Sequence, residues 1–307
     1  MEKNVITKAG MRFIKINRTI FAETPVQKWR LTAYLYKKIY YFSAGNKEKK
    51  VTYKGIELYL PGEDTAIVPS IVGGYFESLE LDIFARIAAK SKTLLDVGGN
   101  IGIYTVLGLV KNPSLEVHAF EPVKQNADYF DRNLKLNKQK QSSTVKLNLM
   151  AVGNKEGYLE LFISEGNSAI HSASSKHSGG NVSEKVKMIT IDQYCRDNNL
   201  KPDLLKIDVE GYDGFVLEGA AVTMSKYKPT LFIEYDPEAL ENCGYKPKQM
   251  LETLFDIYNN AYVFDEKRGV IKSANKQDTL RAPVYSNMNL LFCEKNAHIK
   301  HITDYLA

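Results

Sequence analysis

Cysteine is almost missing from this chain: Cys195, Cys243 and Cys293 are the only three among 307 residues. They are too few and too scattered for a disulfide framework or a zinc site, and read as buried apolar side chains. No uninterrupted apolar stretch approaches the ~18 residues of a membrane span, and no cleavable leader pattern is present, so neither export nor a spanning helix is expected. The dinucleotide fingerprint G-x-G-x-x-G is absent as well. Two positions after Gly98 stands Asn100, and two after Gly99 stands Ile101, so neither register fits. A nicotinamide-dependent oxidoreductase is thereby disfavoured. There is no internal repeat, and the 44% apolar content is ample for a folded core.

Acid is scarce at one end only. Residues 1–50 hold 12 Lys or Arg against Glu2, Glu23 and Glu48, a net +9, which leaves −4 for the other 257 residues. Within this basic stretch, KWRLTAYLYKKIYYF (28–42) mixes apolar, aromatic and basic residues at near-helical spacing. Two readings are open for a cytoplasmic protein. The helix either lies peripherally on an anionic membrane at its inner face, or packs its Leu31, Leu35, Ile39 and Phe42 stripe on the rest of the chain or on a second copy in a homodimer. Packing is the commoner use of such a stripe. The same basic charge keeps a non-catalytic nucleic-acid module in view as a weaker alternative.

What is present gathers at four stations. LLDVGGNIGIYTVLGL (94–109) reads as a buried strand holding Asp96, a glycine turn and a helix start. Gly98, Gly99 and Gly102 lack the Cβ atoms that would hold a ligand off the backbone, and the helix from Ile103 points free N–H groups at that ligand. LEVHAF (115–120) is a second strand, ending in Glu121 and Pro122. Glu121 lies 19 positions after Gly102, where related nucleotide-binding units place a carboxylate that accepts hydrogen bonds from a ribose diol. LLKIDVEGYDGFVLEGA (204–220) runs a buried strand into Asp208 and Glu210 before Gly211 turns the chain. TLFIEYDP (230–237) delivers Glu234 and Asp236 to the same edge, the carboxyl end at which open α/β sheets bind ligands.

These motifs, with LNLMAVG and ITIDQY between them, resemble in content and order the FkbM family of methyltransferases over roughly residues 75–295. KIDVEG is the most characteristic segment. Gly99 is a departure, since many members carry alanine there. The resemblance implies a Rossmann-like class I methyltransferase fold, an α/β architecture whose mostly parallel seven-stranded sheet is flanked by helices. It implies S-adenosylmethionine as cofactor and O-methylation of a hydroxyl on a sugar, a glycan or glycolipid, or a secondary metabolite. On the matching positions it places the cofactor at Glu77, Asp96, Gly98, Gly99, Asn100, Gly102, Thr105, Glu121, Pro122, Ala151 and Asp208. The chain then divides into a basic N-terminal extension, 1–74, made of a helix and the hairpin VTYKGIELYL, and a methyltransferase domain, 75–307. Amino methylation of nucleic acid is disfavoured, because no Asn/Asp-Pro-Pro-aromatic run occurs: Asn112-Pro113 continues with Ser114, and Asp236-Pro237 with Glu238.

A sulfonium methyl group is already activated, so such an enzyme must align the acceptor oxygen and remove its proton. A positioned base contributes roughly 10²- to 10⁴-fold. Candidates are Asp208, Glu210 and Glu234, together with His171 and His177 from the Ser-, Gly- and Asn-rich loop EGNSAIHSASSKHSGGNVS (165–183). Histidine has the better unperturbed pKa for this task. The loop reads as a mobile lid or a disordered excursion. His118, His298 and His301 are given structural or solvent roles.

Asp208, Glu210, Glu234 and Asp236 have the oxygen ligands a hard cation prefers. Gly211, however, is expected to carry Glu210 away from Asp208, so no metal is expected. Tyr75, Tyr104, Tyr212 and Tyr235 are placed at the mouth, where they would stack on a sugar ring. FESLELDIFARIAAK has helical periodicity, helices follow Pro122 and Ile191, and late strands at 261–264 and 288–293 complete the sheet, with RAPVYSN as a loop.

Overall fold

The computed structural model describes residues 47–62, 64, 67–137, 145–164, 171–179, 182–281 and 287–307. The basic helix expected over 28–42 lies outside them, as do parts of the Ser-rich loop and of RAPVYSN. The strands run β1 (Lys49–Tyr53), β2 (Ile56–Leu60), β3 (Thr93–Val97), β4 (Glu116–Phe120), β5 (Val145–Asn148), β6 (Ala151–Val152), β7 (Gly157–Ile163), β8 (Val182–Ile189), β9 (Leu204–Ile207), β10 (Thr230–Tyr235), β11 (Ala261–Asp265), β12 (Val270–Ala274) and β13 (Met288–Phe292). The helices that matter for the site are α1 (Ile67–Val72), α2 (Ser78–Ala88), α3 (Ile103–Lys111), α4 (Lys124–Leu136), α5 (Ser175–Ser178), α6 (Ile191–Asp197), α7 (Asp213–Glu218), α8 (Ala221–Tyr227), α9 (Pro237–Asn242) and α10 (Pro247–Ile257).

The main sheet has the order β12-β11-β13-β10-β9-β3-β4-β5. From β10 to β5 the neighbours are parallel, while β13 enters antiparallel between β10 and β11. Eight strands therefore replace the seven expected. The addition is β12, an edge strand that folds back on β11 and buries only Ile271 of its five residues, so its sequence shows no alternation to read. The chain leaves β3 toward β4 and β5, then returns through β9 toward β10. This reversal opens a crevice at the carboxyl ends of β3 and β9, where such sheets bind ligands.

Alternation sorts the side chains onto two cores. Leu94, Leu204 and Phe232 pack with α2, α3 and β2 on one face, and Leu95, Val97, Leu205, Ile207, Leu231 and Ile233 pack with α6 to α8 and α10 on the other. By the same period of two, Asp96, Lys206 and Glu234 point to the first face, with Asp96 directly opposite Lys206 across the β3–β9 ladder. The helix α2 lies on that face and brings its own acids to it.

The hairpin belongs to the first core, since Ile56, Leu58 and Leu60 are fully buried there. Its turn puts Lys54 and Gly55 at positive φ, the pattern that matches strand twist in a two-residue hairpin. The free edge of β2 is closed by two asparagines one helical turn apart on α4 and just after it. Asn137 accepts from Glu57 N–H (2.9 Å) and donates to its carbonyl (2.7 Å), and Asn133 does the same for Tyr59 (2.6 and 3.2 Å). Asn133 also donates to the Ile101 carbonyl in the glycine turn (2.9 Å), which ties the hairpin to the presumed cofactor loop. Asn133→Ala strands several buried backbone groups, and a loss of about 3 kcal/mol in urea unfolding is expected. A loss below about 1 kcal/mol would show that the edge finds other partners.

Over residues 171–179 the Ser-rich loop is packed against the crevice, with His171 and Ala173 on its wall. Ser172 is fully buried, exchanges two backbone hydrogen bonds with Phe162 (2.8 and 3.2 Å), and donates its Oγ to the Glu210 carbonyl (2.8 Å). A short polar side chain is here buried because the backbone it covers accepts its hydrogen.

Candidate active site

The first wall of the crevice is the turn after β3. Gly98 and Gly99 N–H both donate to the Phe120 carbonyl at the end of β4 (3.0 and 2.9 Å). Glu121, 4% exposed, holds the turn from below, accepting from Asn100 N–H on one oxygen (2.8 Å) and from Val123 N–H on the other (2.9 Å). Burial pushes its carboxyl up to about 7, against the pull of those two N–H groups.

The glycines also make room for the chain itself. A Cβ on Gly98 would lie 1.8 Å from the Asp208 carbonyl oxygen, and Cβ atoms on Gly99 and Gly102 would stand 2.8 and 3.0 Å from the Phe130 ring. They admit parts of the chain itself, because the turn is wedged between the end of β9 and α4.

The residues placed at the cofactor by resemblance divide into two sets. Glu77, Gly98, Gly99, Asn100, Glu121, Pro122, Ala151 and Asp208 line the crevice. Asp96, Gly102 and Thr105 stand behind it. Thr105 Oγ1 donates to Asp96 Oδ2 (2.6 Å), and Asp96 Oδ1 is buried with no hydrogen-bond partner among the described residues. The donor set suits a cofactor with a ribose diol and a cationic amino-acid end. Each Glu121 oxygen keeps acceptor capacity beyond its backbone bond, Met150 and Ala151 form an apolar stretch of wall, and carboxylates crowd the opposite end.

That opposite end is the acidic floor. Oxygens of Asp208, Glu210 and Glu234 all lie within 4.8 Å of one another. The expectation that Gly211 would carry Glu210 away is overturned, because Glu210 itself takes the left-handed conformation (φ 53) and returns its side chain to the crevice. Asp236 does not join them as expected. It caps α9, accepting from Ala239 N–H (3.0 Å).

Every floor carboxyl has a protein partner. Lys206 Nζ stands 2.9 Å from Asp208, His177 Nε2 3.0 Å from Glu210, and Asn287 Nδ2 3.1 Å from Glu234. A hard cation would have to displace an ammonium here. Burial first, then the neighbouring acids, push Glu210 and Glu234 well above the ordinary carboxyl range. Burial pulls His177 down, which disfavours the charged form of the ring beside Glu210.

Lys206 was not anticipated. It is 5% exposed in the middle of β9, and burial opposes its charge. The carboxylates of Asp208, Asp96 and Glu77 outweigh that penalty and hold the ammonium charged well beyond its usual range. The signal was a lysine inside an apolar strand at the same parity as Asp208, where such a residue is almost never buried unless paired.

His171 lines the crevice, but its Nδ1 lies 3.1 Å from the Ser164 N–H and accepts from it. Burial also disfavours its charge, so the ring is neutral with its proton on Nε2, a donor rather than a base in this arrangement. Two of the four tyrosines placed at the mouth, Tyr104 and Tyr212, line the crevice, and Tyr104, 5% exposed, ends between two carboxyls of the α2 segment. Tyr235 is buried in the second core and Tyr75 is not on the wall.

The α2 segment closes the crevice. Glu77 immediately precedes α2 in the left-handed conformation (φ 40, ψ 42) and makes no capping bond. Glu266 caps in its place, accepting from Leu79 N–H (3.0 Å) and Glu80 N–H (3.1 Å). The Tyr104 hydroxyl lies 2.7 Å from Glu77 and 2.8 Å from Glu80, whose second oxygen accepts from Asn289.

Two solved structures are remotely similar. They are methyltransferase FkbM from Methylobacillus flagellatus KT (14% identity, 74% of this chain and 54% of that chain, TM-score 0.43) and the O-methyltransferase TomG from Streptomyces achromogenes, involved in tomaymycin synthesis and solved with SAM (8% identity, 71% and 79%, TM-score 0.40). The chain spans about half the length of the Methylobacillus protein. No curated protein matches it in sequence. The family model of the FkbM methyltransferase domain matches residues 96–265, more than half of the chain and all of the crevice lining except Ile67, Phe76 and Glu77. The protein belongs to the FkbM methyltransferase family, and its cofactor is S-adenosylmethionine.

Proposed function

We propose that the protein transfers the methyl group to a hydroxyl of a sugar, a glycan or glycolipid, or a secondary metabolite. The observation that supports this most is the floor of Asp208, Glu210 and Glu234 beside the cofactor turn. Carboxyl oxygens accept hydrogen bonds from several O–H groups at once, as a polyol presents them, and repel an anionic acceptor. S-adenosylmethionine, when bound, supplies a methyl group activated by positive sulfur. Glu121 would hold its ribose diol, Asp208 its cationic end, and His171 Nε2–H would donate to an acceptor oxygen. Tyr212 offers a face for a sugar ring. Family membership sets aside the nicotinamide-dependent reading.

The test uses the full chain. Calorimetry should show saturable binding of S-adenosylmethionine and its demethylated product, and none of NAD. Incubation with methyl-labelled cofactor and neutral glycan and metabolite fractions should leave label in an alkali-stable ether. Label recovered in an ester or on nitrogen would overturn the O-methyl assignment while leaving methyl transfer intact.

A further inference from the structure

We propose that Glu77 is the catalytic base that receives the acceptor's hydroxyl proton, and that Tyr104 and Glu80 position it as a carboxyl pair bridged by one phenol. The inference rests on the O-methyl reading above.

Counting hydrogens is the first ground. The Tyr104 hydroxyl has one hydrogen but sits 2.7 Å from Glu77 Oε2 and 2.8 Å from Glu80 Oε1. Two ionised carboxylates cannot both accept from one O–H, so one of the pair is protonated and donates to the phenol oxygen. Glu80 is the protonated one. It is 4% exposed behind Tyr104, whereas Glu77 is half-buried and opens on the crevice, where its charge is better solvated. The proton chain therefore runs Glu80–H to Tyr104 to the Glu77 carboxylate and ends facing the acceptor. Burial raises both carboxyls, Glu77 to about 8 with repulsion from Glu80 added, and Glu80 to about 7 against the hydrogen bonds from Tyr104 and Asn289. Both therefore lie near neutrality, the range suited to general-base work, and it is the opening of Glu77 on the crevice that assigns the proton to Glu80.

The backbone is the second ground. A non-glycine residue at φ 40 is strained, by ~1–2 kcal/mol, and such strain persists where the surroundings impose it. At the start of α2 a Glu side chain would ordinarily be free to meet the helix N-terminus. Here Glu266, from 187 residues away, takes that place, and Glu77 is diverted to Tyr104 and the crevice. The competing groups are engaged otherwise: Lys206 holds Asp208, His177 meets Glu210, Asn287 donates to Glu234, and His171 already uses Nδ1.

In the step itself, an oxygen lone pair of the acceptor forms the O–CH₃ bond as the C–S bond breaks and its electron pair goes to sulfur. The O–H proton passes to the Glu77 carboxylate, so one positive and one negative charge are consumed together. Glu77 returns the proton to solvent as product leaves.

Three variants test this in the full chain. Glu77→Gln still accepts the Tyr104 hydrogen bond, and at saturating S-adenosylmethionine it should lower the single-turnover rate into glycan ether by about 10²-fold or more at every pH. Glu80→Gln carries an N–H where the protonated carboxyl carries O–H, and should recover most of the rate that Glu80→Ala loses. The infrared difference spectrum of wild type minus Glu80→Gln, both cofactor-free at neutral pH, should show a protonated-carboxyl band, the bands of the other buried acids cancelling. If wild type makes the ether and Glu77→Gln keeps more than a tenth of its rate, the assignment to Glu77 is wrong. An unchanged carboxyl band in Glu80→Gln, or no rescue over Glu80→Ala, would refute the shared proton. Absence of any ether product from wild type would instead fault the O-methyl reading, with the infrared result still deciding the pair.

Discussion

Gly98→Ala is expected to be the most damaging single change in the molecule, costing about 3–5 kcal/mol of folding stability. Two costs combine. The residue sits at φ +80, where an L side chain pays ~1–2 kcal/mol. The larger part is steric: a Cβ 1.8 Å from the Asp208 carbonyl oxygen cannot be accommodated by a rotamer change, because the obstacle is backbone, so the ends of β3 and β9 must separate. Gly55→Ala is the control. It shares the conformation (φ +82), and its Cβ would meet nothing within 4 Å, so only about 1 kcal/mol should be lost. Urea unfolding of both variants without cofactor separates the terms. Equal losses would show that the β3–β9 junction yields easily and that the overlap is relieved at little cost.

Glu121→Ala is expected to weaken S-adenosylmethionine binding by at least 100-fold. It removes the acceptor of two buried N–H bonds that shape the turn, at Asn100 and Val123, in addition to the partner of the ribose diol. Hydrogen bonds to a charged group are worth about 1.5–3 kcal/mol, and 2.7 kcal/mol corresponds to 100-fold. The pH dependence has a definite sign. Since the folded pKa of Glu121 is raised to about 7, the folded chain holds a proton there that the unfolded chain has lost. Its contribution to the stability of the cofactor-free fold is thus present below the ordinary carboxyl pKa and is lost as pH rises through about 7. Cofactor binding runs the other way, because the diol needs the carboxylate. Affinity should rise through the same window, with proton release on binding that calorimetry in buffers of different ionisation heat detects in wild type and not in Glu121→Gln. Affinity independent of pH between 6 and 8 would remove Glu121 from the diol site.

The glycine turn after β3 and the acidic strand ends show what a linear reading reaches. Asp96, Glu121, Asp208, Glu210 and Glu234 stand at or beside the carboxyl ends of β3, β4, β9 and β10, because a period of two and a turn signal are local properties that survive folding. Lys206 was overlooked although its parity was visible, and Glu80 was hidden in an ordinary amphipathic helix pattern. Their meaning depends on partners far along the chain: Glu80 meets Asn289 from 209 residues away, and Tyr104 reaches Glu77 and Glu80 from 27 and 24. The burial of Ser172 was hidden for a similar reason, since a serine that buries by donating to the Glu210 carbonyl has the same composition as one that stays in water.

The sequence alone determined the strand–turn–helix units, which follow from short-range periodicity and turn chemistry, and, through the resemblance of its motifs and their order, the class of fold and the family. Tertiary structure decided which groups carry protons and what the glycines are for. Desolvation and charge–charge coupling act through space: Lys206 keeps its charge because three carboxylates converge on it, Glu77 and Glu80 share a phenol because α2 lies across the ends of β9 and β10, and Gly98 is required because Asp208 passes beside it.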